Sequence, residues 1–118
     1  MAVKSYRDLI AWQKAMEIVE LVYKCTAEFP ATERYGLTNQ MRRSSVSIPS
    51  NIAEGQARLT REFQQFLRIA QGSLFELETQ TEIATRLNFL TKRRAEDLLS
   101  KIGETSRIIS GLLRSLKP

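Results

Sequence analysis

The chain has 118 residues, 42% hydrophobic and 26% charged, which fits one globular domain over residues 1–118 and excludes a disordered tail. Histidine is absent and Cys25 is the only cysteine, which excludes His-based triads, HExxH zinc sites, Glu-x-x-His di-iron pairs, CxxC motifs and internal disulfides. A net charge of +5 leans toward polyanionic partners, nucleic acid before acidic lipid or an acidic protein.

The opening run from Met1 to Asp8 is too charged for a signal peptide, and no apolar run of about 18 residues exists to span a bilayer. A cytoplasmic location without membrane contact is expected. Scarce Gly and Pro argue against an all-β fold.

Four segments carry a helical apolar period. In the first, Leu9, Trp12, Met16, Val19, Tyr23 and Thr26 form one stripe, the expected core face. Ser5 suits its N-cap, with Asp8 three residues on, and Phe29-Pro30 ends it. The second segment presents Leu37, Met41, Ser45, Ile48 and Ile52, and Pro49 inside it predicts a kink. The third opens with Thr60 as N-cap and Glu62 in the first turn. Its stripe runs through Phe63, Phe66, Ala70, Ser73 or Leu74, Leu77, Thr81, Ala84 and Leu87, and Asn88 stops it. Thr91 caps the fourth, where Ala95, Leu98, Ile102, Thr105, Ile109, Leu112 and Leu116 keep a three-four rhythm. Long helices joined by short loops predict an all-α, antiparallel, up-down-up-down four-helix bundle.

The run Ser47-Ile48-Pro49-Ser50-Asn51-Ile52-Ala53-Glu54-Gly55 is the most distinctive stretch. It stands in register with Asp8-Leu9, Trp12-Gln13-Lys14-Ala15, Phe29-Pro30, Tyr35-Gly36-Leu37-Thr38 and Arg42-Arg43 before it. Glu62-Phe63, Gly72-Ser73-Leu74 and Glu76-Leu77-Glu78-Thr79-Gln80 follow. Together these resemble, nearly end to end, the small bacterial S23-type proteins encoded in intervening sequences of 23S rRNA genes. The resemblance implies homopentameric four-helix bundles with a basic surface and no known catalysis. A relative of that family is an accessory protein of diversity-generating retroelements, which binds a reverse transcriptase and nucleic acid.

Within the motif, Asn51 and Glu54 have two readings. They form a ligand or partner site, or Asn51 satisfies backbone near Pro49 while Ala53 and Gly55 permit close helix packing; packing is favoured. Glu17, Glu20, Glu54, Glu76, Glu78 and Glu82 fall mostly on outer faces without a histidine to complete a metal site, so no metal or other cofactor is expected. Ser44, Ser45 and Ser47 lack a base, and Cys25 reads as a small buried apolar residue. No catalytic residue is assigned and no enzyme is expected.

Bundle topology would gather Lys4, Arg7, Arg58, Arg61, Arg114 and Lys117 at one end, facing Asp8 and Glu62. The opposite end mixes Lys24, Arg34, Arg86, Lys92, Arg93 and Arg94 with five carboxylates. The first group is either ordinary solvated charge or a surface for the RNA or DNA backbone, helped by free N–H groups where the third helix starts. No RNP-like aromatic pair, zinc finger or recognition helix is present, so weak sequence specificity follows. Two roles remain: a basic scaffold for nucleic acid, structured RNA first, or an adaptor docking a protein partner such as a reverse transcriptase.

Self-association is expected from second apolar arcs. Ala11, Ala15, Ile18, Val22 and Cys25 lie away from the first stripe of the first helix, and Val46, Pro49, Ala53 and Ala57 flank that of the second. Ala11, Ala15, Ile18, Val22, Val46 and Ala53 are the interface residues this predicts, in a homo-oligomer that the resemblance suggests is a pentamer.

Overall fold

A computed structural model describes residues 5–116. Helices α1 (Ile10–Thr26), α2 (Leu37–Gln56), α3 (Thr60–Arg86) and α4 (Lys92–Ser115) form an all-α bundle, with short 3-10 turns at Tyr6–Asp8 and Ala31–Glu33. Among the described residues there is no strand, and no helix is long and apolar enough to cross a membrane. Lys4 and Lys117 lie outside the described residues.

Local signals set most helix boundaries. Ser5 Oγ accepts from the Arg7 N–H at 3.1 Å and so caps the Tyr6–Asp8 turn, not α1 as its sequence position suggests. That turn intervenes, and α1 starts behind Leu9, which has no side-chain acceptor to cap it. Thr91 Oγ1 accepts from the Arg94 N–H at 3.2 Å and caps α4. Asn88 takes a left-handed φ of 62° just beyond α3, a conformation asparagine tolerates better than most residues. The third helix departs from expectation by one residue. Leu59, extended and without a capping side chain, precedes it, and Thr60 is its first helical residue.

Contacts between neighbouring helices fall in reversed order. Lys14 meets Glu104 while Glu17 meets Lys101 and Cys25 meets Arg94. Gln64 donates to the Leu116 carbonyl, and Gln71 to Ser110. Ser47 and Ser73 share a 2.8 Å hydroxyl contact, while Gly55 lies against Phe63 and Phe66. The start of α1, end of α2, start of α3 and end of α4 therefore share one end of a rod 46 Å long.

The core follows the expected stripes of α2 and α4 and turns most of the first stripe outward. It departs from that of α3 at Leu87, which lies past the helix end and is exposed, and at Leu67, which is buried in place of the half-buried Phe66. Met41, Ser45, Ile48 and Ile52 of α2 are buried, as are Leu74, Leu77 and Thr81 of α3 and Leu98, Ile102 and Ile109 of α4. On α1 the buried face is Ala11, Ala15, Ile18, Val22 and Cys25, whereas Met16 is 38% and Tyr23 43% exposed. Ala11, Ala15, Ile18 and Val22 are therefore core residues of a single chain, not residues free to contact a second copy. The physical reason is size and polarity. Alanines let α1 approach its neighbours closely, and the Trp12 and Tyr23 rings carry polar tips better placed at a boundary. Val46 remains exposed and Ala53 half-buried, so these two alone keep the surface position expected of them.

α2 continues as one helix through Pro49, which is buried. Further on, a Cβ added to Gly55 would sit 2.6 Å from Phe66 Cβ and 3.0 Å from Phe63 Cδ1. Phe66 Cβ is fixed to its backbone and cannot swing aside, so the glycine sets the separation of α2 and α3. Gly55→Ala gains helix propensity of about 1 kcal/mol but meets an overpacking cost of roughly 1–3 kcal/mol. A net loss in urea unfolding free energy is expected; equal or greater stability would show that the two helices separate there freely.

Candidate nucleic-acid interface

The end of the rod that gathers both the N-terminal turn and the last turn of α2 carries Arg7, Arg58, Arg61 and Arg114, all exposed. Among the described residues, Arg7, Arg61 and Arg114 make no ion pair within 4.0 Å. Arg58 hydrogen-bonds Glu54 one turn back on α2. Glu54 thus joins Asp8 and Glu62 as a third carboxylate at this end and offsets one of the four arginines. The α3 start adds N–H groups of Thr60, Arg61 and Glu62 that no side chain caps, a site of positive partial charge between Arg58 and Arg61.

The other end carries six cations against five carboxylates. Arg94 pairs with Glu28 at 2.9 Å, Arg86 lies 3.9 Å from Glu82, and Glu33 accepts from the Leu37 N–H at 3.1 Å. Lys24, Arg34, Lys92 and Arg93 there make no ion pair within 4.0 Å among the described residues. The arginine end is therefore set apart by the uncapped start of α3, whereas α4 is capped by Thr91.

The motif residues are engaged within the fold. The Asn51 amide donates to the Ser47 carbonyl at 2.7 Å and to Ser47 Oγ at 3.0 Å, and Ser47 Oγ in turn meets Ser73 of α3. Asn51 therefore braces the α2–α3 contact, and Glu54 orients Arg58. On the α1–α4 seam the hydrogen bond from Lys101 holds the Glu17 carboxyl below its ordinary range, with Lys14 adding to it. Cys25 is buried, its sulfur 3.8 Å from an Arg94 nitrogen. Among the described residues, no three His, Cys, Asp or Glu side chains converge as a metal site.

Aromatic rings at the arginine end escape a reading by charge alone. Arg7 lies over the Tyr6 and Trp12 rings, 5.5 and 6.0 Å from their centroids, and Arg58 lies 5.3 Å from that of Phe66. Phe66 belongs to the α3 stripe and Trp12 to the outward stripe of α1, so periodicity assigns both to packing. A polar cleft of about 330 Å³ between α2 and α3, lined by Asn39, Arg43, Ser44, Glu76 and Gln80 among others, also has no sequence signature.

No curated protein matches the chain. A solved structure described as a protein of unknown function from the S23 ribosomal protein family of Bacteroides thetaiotaomicron VPI-5482 shares the fold. Its TM-score is 0.81 at 22% identity, over 88% of this chain and 98% of that one. The family described as 23S rRNA-intervening sequence protein matches residues 7–111, nearly the whole bundle, and the chain belongs to that family.

Proposed function

We propose that this chain is a non-enzymatic, cytoplasmic scaffold that binds nucleic acid, structured RNA first, through the phosphate backbone with weak sequence specificity. The observation that carries the reading is the cluster of exposed arginines at one end of the rod, three of them unpaired among the described residues, around the uncapped start of α3. Four phosphate contacts release enough counterions to give a log-affinity against log-salt slope of about −3 or steeper. Fluorescence anisotropy with an RNA hairpin over a salt series measures it. A salt-independent affinity, or no binding at low salt, would overturn the reading.

The scaffold works as a homo-oligomer, with the pentamer implied by the family resemblance as the expected ring. Support comes from two apolar surfaces that the single chain leaves open. Tyr23 and Val46 line the α1–α2 seam beside Arg42 and Arg43 with Met16 exposed elsewhere on α1, and Ile69, Phe75 and Ile83 are exposed on α3 with Leu87 just past its end. Two different exposed apolar surfaces suit a head-to-tail contact, which closes into a ring if the rotation allows. The second reading is an adaptor docking a partner enzyme such as a reverse transcriptase. Phe75, 60% exposed, favours it if the α3 patch stays uncovered in the oligomer. Capture of one partner that survives nuclease and moderate salt would select this reading.

A further inference from the structure

We infer that the arginine end takes unpaired nucleotides in preference to duplex, by stacking their bases on rings that the arginines now cover; this rests on the nucleic-acid reading above. Phosphate binding alone needs cations and nothing else. Here two of the four arginines lie over aromatic faces at the same end, and the rings beneath them are only partly buried. The Tyr6 and Trp12 rings meet edge to face with centroids 5.3 Å apart, and Arg7 covers both. Arg7 is itself held by its backbone. Its N–H donates to Ser5 Oγ at 3.1 Å, and its carbonyl accepts from the Gln13 amide at 2.8 Å. Trp12 packs on the core, which fixes the platform. The second platform is Phe66, set into the Gly55 contact and covered by Arg58, whose other partner is Glu54.

Every base has a π-face, so such rings accept any sequence but only bases outside a duplex stack. A guanidinium on an aromatic face is also a ready neighbour for the phosphate that follows a stacked base. When a base enters, Arg7 and Arg58 move from ring to phosphate, and the charge count of the contact is unchanged. The occupant is therefore a single-stranded segment or a loop of structured RNA, or the equivalent DNA.

Trp12 is the only tryptophan, so its fluorescence reports this platform alone. The full chain is titrated at fixed salt with oligo(U), oligo(dT), a duplex of equal length, and inorganic polyphosphate, which has charge but no bases. Single strands are expected to bind about tenfold tighter than duplex, the low end for one stacked base, and to quench Trp12. Polyphosphate should bind without that quenching. Trp12→Leu with Phe66→Leu keeps both positions apolar and removes the main ring of each platform. Read by anisotropy, it should erase the single-strand advantage while leaving duplex and polyphosphate affinity intact. Should that variant misfold by circular dichroism, the wild-type contrast between bases and polyphosphate still decides. Equal affinity for single strand and duplex with unchanged Trp12 emission would overturn the stacking and spare the phosphate reading. Failure to bind any of the four would overturn both.

Discussion

Reversing Arg61 and Arg114 to glutamate will lower RNA affinity about 60-fold at 0.1 M salt, from roughly eightfold for each phosphate that is no longer neutralised. The salt slope should flatten by about 1.8. Both side chains are exposed and unpaired among the described residues, so their replacement leaves the bundle's packing alone. Arg58 is the less informative target, since Glu54 already holds it and its removal also uncovers Phe66. Arg93→Glu with Arg94→Glu is the control. It places the same change of charge at the opposite end, where Arg94 is tied to Glu28, and should cost little affinity. Equal effects from the two pairs would show that binding follows net charge and not position.

Ile18→Glu with Val22→Glu will unfold the chain. Both positions are fully buried, and each carboxylate would enter the core without a partner. Unpaired buried charges cost about 3–5 kcal/mol apiece, and two of them, about 6–10 kcal/mol, are comparable to the roughly 5–15 kcal/mol that typically separates folded from unfolded. Circular dichroism should show loss of helix at room temperature. Met16→Glu with Tyr23→Glu places identical chemistry on the other face of the same helix. That variant should keep its helix content and, by light scattering, drop to a smaller mass. A folded Ile18/Val22 variant would return α1 to the face order its large residues suggest.

The fold was legible because helical period, short connections and cap residues agree along the chain, as at Thr91 and in the α2 and α4 stripes. What periodicity cannot do is choose between two apolar arcs on one helix. On α1 the bulkier arc, Trp12, Met16 and Tyr23, reads as core, yet the narrow space between helices admits Ala11 and Ala15. Of the arginine end, topology alone brings Arg7, Arg58, Arg61 and Arg114 together. Glu54's reach to Arg58 and the rings beneath Arg7 and Arg58 depend on side-chain directions that spacing does not encode. Asn51 shows the converse case. Its place in a distinctive motif invites a chemical role, and its hydrogen bonds to Ser47 give it a mechanical one.

On the nucleic-acid reading, the uncapped start of α3 and the arginines around it give the rod a preferred end. A polyanion held there would leave the long axis of the rod directed away from the phosphates. Docked so, the rod holds its far end, with the Arg94–Glu28 pair and the turn around Pro30, as much as 46 Å above the nucleic-acid surface. Anything attached there is kept at a fixed stand-off, a length set by the four helices and insensitive to the sequence below.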